Sequence, residues 1–453
     1  MKIALLGFDR QGRSAYEYWS SPDNEVTICD RKSNLDNPPP DAALKLGDNY
    51  LADLGQYDLL VRTPGLHPQT ILDANPDASL LEDKITTVTN EFMRACPTKN
   101  IIGVTGTKGK GTTATLIAEM LHVAGKRVHL GGNIGIPPLD MLQGAGLLHK
   151  ESGQSDSENK SIQQDDWVIL ELANYQLIDL QYSPHIAVCL MITPEHLDWH
   201  ESLEEYLRAK QQIFTHQAEK DIAIYKAGDN RSMHLATTSL GSHIPYMEAP
   251  GAFVKDDAVW IDNEQLCHKK DVGLVGEHNL ENVCAAATVV WQITPEAKAI
   301  REGIKNIKSL PHRLELIKEV NGVTFYNDSI GTTPETAIAA LRAMTQPTII
   351  ILGGSDKGVG FDALAEEVAN SDTVKHVVLI GKTGPVIEAA LEKVSFSKLS
   401  YGGESMTEVV KTAYELAESG DAVLLSPACA SFDMFVDYED RGEQFSQAAL
   451  ALD

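Results

Sequence analysis

The chain has no run of about 18 consecutive apolar residues, so the sequence offers no hydrophobic membrane-crossing helix. Its six cysteines contain no C-x-x-C pair. No signal-peptide pattern stands at Met1-Lys2-Ile3, which opens directly into a strand. Together these absences imply a soluble protein in a reducing, cytoplasmic setting, with no membrane insertion. Positive charge is also scarce: 38 Lys and Arg stand against 64 Asp and Glu, a net charge of −26. That balance disfavours nucleic acid or an anionic membrane as partner, and any anionic substrate must be held by local basic loops. What is present is enough for a sizeable core: 453 residues, 43% of them hydrophobic, suggest roughly three domains of ordinary size.

The most informative stretch is Val104-Thr105-Gly106-Thr107-Lys108-Gly109-Lys110-Gly111-Thr112-Thr113, between an apolar run and a helical pattern. Glycines let backbone N–H groups curl around phosphate oxygens, Lys110 adds positive charge, a threonine hydroxyl can ligate Mg²⁺, and the following helix presents its positive end. The stretch therefore reads as a phosphate-binding loop for ATP. Its spacing departs from G-x-x-x-x-G-K-[ST], because Val104 replaces the first glycine and Gly111 separates Lys110 from Thr112.

Ahead of that loop, Lys2 to Gly7 reads as a strand with a glycine turn, and Val26 to Cys29 as a strand ending at Asp30-Arg31. This opens like a nucleotide-binding βαβ unit. The turn Gly7 to Gly12 lacks the middle glycine of G-x-G-x-x-G, which argues against a dinucleotide. Further strands are expected at Leu59 to Arg62, running into Thr63-Pro64-Gly65, and at Thr86 to Asn90.

After the loop, strands are expected at Trp167 to Leu170 and Ile186 to Ile192, with Glu171 and Thr193-Pro194-Glu195-His196 at their ends. Ligands of parallel sheets lie beyond the carboxyl ends of strands, so the loop, Glu171 and His196 would meet in one crevice fit for a Mg²⁺–nucleotide. His196-x-Asp198-x-His200 resembles part of a zinc site, but no further ligands are evident. The polar segment 151–166 is expected to be an exposed, mobile loop without core residues. A helix follows His196, with Ser202 as N-cap, Glu205 three residues on, and Lys210 within the apolar stripe. Such a lysine must find a partner, snorkel to solvent or lose its charge, and a neutral amine can combine with CO₂ to form a carbamate; on this feature alone it reads as a snorkelling surface lysine.

From Leu310-Pro311-His312-Arg313 onward, strands at Val323 to Tyr326, Thr348 to Leu352, His376 to Ile380 and Ala422 to Leu425 alternate with helical patterns. Polar loops follow three of them: Asn327-Asp328-Ser329, Gly353 to Lys357, and Ser426-Pro427-Ala428-Cys429-Ala430-Ser431. Cys429 has no evident activating partner and reads as a packed small residue rather than a nucleophile.

These motifs resemble the Mur ligase family, and within it the glutamate-adding members. The resemblance is carried by Gly106 to Lys110, Gly132-Asn133-Ile134-Gly135, Glu171 to Leu177, His196-Leu197-Asp198, Arg208-Ala209-Lys210, Gly276 to Asn282, Leu310 to Arg313, Asn327 to Ser329 and Ser426 to Ser431. It implies an α/β chain of three domains, each with a mainly parallel open sheet flanked by helices. These are a Rossmann-like UDP-binding domain (1–95), a central P-loop ATPase (96–309) and a Rossmann-like C-terminal domain (310–453) that closes over ATP and delivers the amino acid.

The resemblance also implies roles. ATP would be held by Gly106, Thr107, Lys108, Gly109, Lys110, Gly111, Thr112, Asn279, Asn282, Arg313 and Asp328. Mg²⁺ would be held by Thr112, Glu171, His196 and Lys210 as a carbamate, with Lys110, Glu171, His196 and Lys210 catalytic. Gly7, Gly12, Arg13, Ser14, Asp30, Arg31, Thr63, Gly65 and Asn133 would bind the UDP-muramoyl substrate, and Thr332, Lys357, Ser431 and Tyr438 the glutamate. The implied activity is ATP-dependent addition of glutamate to UDP-N-acetylmuramoyl-L-alanine through an acyl phosphate, in peptidoglycan precursor synthesis, by a monomer. D-glutamate is expected. L-glutamate is the alternative, because Ile330 replaces the lysine of the usual Asn-Asp-Ser-Lys-Ala-Thr-Asn. Lys110-Gly111-Thr112 also resembles folylpolyglutamate synthases, which lack a UDP-binding domain ahead of the ATPase.

Overall fold

The computed structural model describes residues 1–35, 37–76, 81–133, 135–148, 161–196, 199–272, 278–307, 311–355 and 358–452. The chain divides into two compact units, Met1–Asp271 with Leu280–Asn306, and Val272–Asn279 with Ile307–Asp453.

The first unit begins with five parallel strands, β1 (Lys2–Leu6), β2 (Glu25–Asp30), β3 (Ala43–Leu46), β4 (Leu59–Arg62) and β5 (Ile85–Thr87), ordered β3-β2-β1-β4-β5. Ile3 to Leu6 are completely buried, as a central strand covered on both faces requires. The order reverses between β1 and β4, so the crevice beyond their carboxyl ends is framed by Gly7 and Thr63. The strand expected at Thr86 to Asn90 is corrected. β5 stops at Thr87, whose hydroxyl accepts the Asn90 N–H at 3.0 Å and caps the helix Val88–Ala95. A β-branched run reads as a strand, but threonine is also a strong N-cap, and the capping bond prevails.

Six parallel strands follow: β6 (Ile101–Thr105), β7 (Val128–Gly132), β8 (Trp167–Glu171), β9 (Ile186–Cys189), β10 (Ile222–Lys226) and β11 (Ser242–Tyr246), ordered β11-β10-β9-β6-β8-β7. Here β6 is the switch strand, and the glycine loop leaves from its end. β9 is shorter than expected because its neighbour turns away at Gly106; beyond Cys189, the Met191 carbonyl instead accepts the Thr107 N–H at 2.9 Å.

The expectation of a coreless loop at 151–166 is corrected in part: residues 151–160 lie outside those described, but Ile162 and Asp166 are buried. Asp166 accepts bonds from Arg127 and His129, each at 2.8 Å, which makes its burial tolerable. A small antiparallel sheet, β12 (Phe253–Lys255), β13 (Ala258–Ile261) and β14 (Glu264–His268), completes the unit.

The second unit has one six-stranded sheet, β15 (Glu315–Val320), β16 (Val323–Asn327), β17 (Thr348–Gly353), β18 (Val374–Ile380), β19 (Leu399–Tyr401) and β20 (Ala422–Leu425), ordered β15-β16-β20-β17-β18-β19. All neighbours are parallel except the edge strand β15, which pairs antiparallel with β16. The architecture is the expected α/β one, with mainly parallel sheets flanked by helices.

Candidate active site

The glycine loop is built by backbone demand. Gly106 has φ 146° and Gly109 φ 85°; a Cβ on Gly109 would lie 2.3 Å from Asn282 Oδ1. Gly109 is the N-cap of the helix Lys110–Val123, whose first amides face the loop. Thr107 secures the loop, its hydroxyl donating to the Thr193 carbonyl and contacting Tyr206 Oη, both at 2.9 Å. Lys108 is exposed, and Thr112 is buried. Asn279 and Asn282 are both buried on the helix His278–Ile293, and Thr113 Oγ1 donates to Asn282 Oδ1 at 3.3 Å.

Three ionisable side chains meet at this loop. Lys110 Nζ donates to the Gly106 and Thr107 carbonyls at 3.2 and 3.0 Å and lies 3.9 Å from Glu171 Oε1. Glu171, at the end of β8, is 2% exposed. Lys210 comes from the helix Leu203–Thr215, is 1% exposed, and donates to the Gly106 carbonyl at 2.9 Å. Burial, reinforced by the Lys110 charge, pushes Lys210 down to about 7, so a large share of it is a neutral amine near neutral pH. The snorkelling reading is thereby corrected: the side chain ends inside the protein. His196 stands on the loop after β9 at φ 58°, with its ring 5.0 Å from Tyr175 and Nε2 3.7 Å from Glu195. Leu197 and Asp198 lie outside the described residues.

A second feature lies at the crevice of the first sheet, a cavity of about 500 Å³. Of the expected UDP-side residues, Gly7, Asp30, Arg31, Thr63 and Gly65 line it, joined by Lys32, Tyr50, His67 and Trp199. Gly12, Arg13 and Ser14 are not among its lining residues and make contacts within the unit. Gly12 packs on the Gly7 carbonyl, Arg13 donates to the Asn37 carbonyl at 3.0 Å, and Ser14 bonds Asp140. The first amides of the helix Arg10–Trp19 are already taken by Asp9, which accepts from Gln11 and Gly12. Asn133 is exposed, and its N–H donates to the Glu171 carbonyl at 2.8 Å. Ile134 lies outside the described residues, as do Gly276 and Glu277.

In the second unit, Asp328 follows β16 and accepts from Ser426 Oγ at 2.7 Å and the Leu314 N–H at 3.2 Å. Burial raises its carboxyl to about 6, against the opposing pull of Ser426 and the Arg313 charge. Thr332 is half-buried, Ser431 is buried, and Tyr438 Oη donates to Glu439 at 3.1 Å; Lys357 and Leu310 lie outside the described residues. Cys429 is buried with Thr383 Oγ1 at 3.2 Å, as a packed residue should be. Sequence reasoning missed Arg441. It is wholly buried and donates to Ser329 Oγ, the Ser329 carbonyl and the Cys429 carbonyl, tying together two of the strand-end loops.

Two family models match the chain: the Mur ligase middle domain over residues 104–290, and the Mur ligase, glutamate ligase domain over 312–429. Relatives named UDP-N-acetylmuramoylalanine--D-glutamate ligase match along the whole length. The Clostridium botulinum one is 33% identical, covering 100% of this chain and 97% of the relative. The Acetivibrio thermocellus one is 35% identical with the same coverage. Among solved structures, UDP-N-acetylmuramate-alanine ligase from Thermotoga maritima superposes with a TM-score of 0.62 at 15% identity, covering 100% of this chain and 99% of that one. The chain belongs to the Mur ligase family.

Proposed function

We propose that this Mur ligase joins D-glutamate to UDP-N-acetylmuramoyl-L-alanine at the expense of ATP, as a cytoplasmic monomer in peptidoglycan precursor synthesis. The observation that carries the reading is the end-to-end match to relatives of that name at 33–35% identity. Residues 1–95 would bind the UDP moiety, 96–309 hold ATP, and 310–453 bring glutamate. The sheets support this division, since each of the three stretches holds its own mainly parallel one.

The chemistry follows from the side chains. The L-alanine carboxylate attacks the γ-phosphorus of ATP, the bond to ADP breaks, and an acyl phosphate forms. Lys110, already directed at the loop, offsets charge on the transferring group. The glutamate amine then adds to the acyl carbon, and the tetrahedral adduct expels phosphate to leave the amide. Asn279, Asn282, Arg313 and Asp328 would hold the nucleotide, and Thr332, Lys357, Ser431 and Tyr438 the glutamate. Neutral Lys210 adds to CO₂, forming an N–C bond and releasing a proton, so a buried amine becomes a carboxylate donor. With the Glu171 carboxylate and the Thr112 hydroxyl, that oxygen-rich set suits Mg²⁺, and His196 supplies a nitrogen. Mg²⁺, when bound, neutralises phosphate charge.

The test is phosphate release by the purified chain with ATP, Mg²⁺ and UDP-N-acetylmuramoyl-L-alanine, comparing D- and L-glutamate. Release with D-glutamate is the expected result. Release only with L-glutamate would assign Ile330 a part in switched stereospecificity, and silence with every amino acid would overturn the reading. In the same assay Lys210→Ala should lose most activity and regain part of it with small carboxylic acids; unchanged rates would dispose of the carbamate.

A further inference from the structure

Four side chains beside the cavity of the first unit have no task in the chemistry above: His67, Trp199, His200 and Glu205. Glu205 sits in the first turn of the helix Leu203–Thr215. Its Oε1 lies 3.3 Å from His67 Nε2, and its Oε2 lies 3.2 Å from His200 Nδ1 while accepting the Glu201 N–H at 2.8 Å. With ligand atoms within 4.8 Å of one another, these three could pass for a metal tripod. The other ring nitrogens argue otherwise. His67 Nδ1 accepts the Gln69 N–H at 3.1 Å, which puts the ring proton on Nε2, and His200 Nε2 meets Asn174 Nδ2 at 2.7 Å, which puts it on Nδ1. His200 thus turns an N–H toward Glu205, and His67 carries its proton on the nitrogen nearest that carboxylate without completing a hydrogen bond to it, where a metal would need a lone pair.

What the arrangement fixes is Trp199. Its Nε1–H donates to the Gly65 carbonyl at 3.2 Å, and its ring lies 4.6 Å from His67, 4.7 Å from His200 and 4.8 Å from Tyr175. It lines the same cavity as Asp30, Arg31 and Thr63. Tyr175, beside Trp199, also lies against His196. A nucleotide-sugar whose nucleoside sits at Asp30-Arg31 and whose acyl end must reach the glycine loop therefore passes Trp199 with its middle portion. An indole face carries negative charge density, which repels a diphosphate but suits the C–H face of a pyranose.

Resting on the proposed function, we propose that Trp199 is the platform for the substrate's sugar ring, and that Glu205 is a positioning residue holding it through His67 and His200. Calorimetric binding of UDP and of UDP-N-acetylmuramoyl-L-alanine to the full chain, without ATP or amino acid, tests this. Trp199→Ala should weaken the nucleotide-sugar about tenfold and leave UDP within about twofold, and Trp199→Phe should restore most of the loss. Glu205→Gln should raise KM for the nucleotide-sugar severalfold with kcat little changed. Equal losses for UDP and the nucleotide-sugar, or no loss for either, would overturn the platform while leaving the function intact. Failure of the wild-type chain to bind the nucleotide-sugar at all would overturn the function, and the platform with it.

Discussion

Asp328 shows how much a single buried group can set. Its carboxyl is raised from 3.8 to about 6 by burial, so the folded chain holds a proton that the unfolded chain has already released. A raised folded value contributes stability below the unfolded one and loses it as pH rises through the folded one. Relative to Asp328→Asn, the wild type should lose about 3 kcal/mol across the whole window, and on the order of 1 kcal/mol between about pH 5 and 7.5. Urea midpoints of both proteins at the two pH values measure this, and parallel pH dependences would mean that the carboxyl titrates normally. Asp328, Lys110 and Glu171 were legible in the sequence as places where chemistry sits, because each lies in or beside a short polar or glycine-rich motif; Lys210 was raised above a snorkelling surface lysine only by the family resemblance. Glu205 was legible only as the N3 partner of Ser202. The structure gives its carboxylate to Glu201 and His200 instead, with His67 Nε2 3.3 Å away. His67 comes from the loop after β4, in the other sheet of the unit, and no local spacing announces that meeting.

At the scale of elements, Arg62 ends β4 with no exposed surface, and so strongly polar a group is tolerated there only with partners. It forms two bonds to Asp179, at 2.9 and 2.6 Å, and donates to the Leu66 and Tyr175 carbonyls at 2.8 and 2.9 Å. The first sheet is thus fastened to the segment after β8 by one guanidinium. Arg62→Ala would leave Asp179 and the carbonyls unpaired and should cost about 3–5 kcal/mol, while Asp179→Asn, which retains acceptors, should cost less. Urea unfolding of the two variants decides this; a loss below about 1 kcal/mol for Arg62→Ala would mean that water replaces the bonds. Nothing in Leu59 to Arg62 foretold the link, since an arginine at a strand end reads as a surface charge. The central strands were legible because burial on both faces makes them continuous apolar runs. The antiparallel hairpins were not read, though their turns carried the signal. Asn321 and Gly322 have φ 51° and 81°, Asp256 and Asp257 have 50° and 56°, and Asp262 and Asn263 have 43° and 65°, the residue types that tolerate the left-handed region in two-residue turns.

The whole molecule sets a different problem: under the proposed function a chain of net charge −26 must capture two anions, ATP and a nucleotide-sugar. Four of its cations stand at the two sites, exposed Lys108 and inward Lys110 at the glycine loop and Arg31 and Lys32 at the cavity. The two fields act over different ranges. At about 0.01 M salt the screening length is roughly 30 Å, so an approaching anion feels the repulsion of the whole chain; at about 0.1 M it is roughly 10 Å, and only the nearby lysines remain in view. Raising salt between these limits should increase kcat/KM for ATP severalfold, with a decline above about 0.3 M as the local attraction is screened too. Lys108→Gln should lower kcat/KM across the range without moving kcat, because an exposed cation at the loop's mouth acts on encounter more than on the transferring phosphate. Initial rates at subsaturating and saturating ATP across a sodium chloride series test both statements. A steady fall from the lowest salt would show that the local lysines outweigh the chain's overall charge at every distance an anion travels.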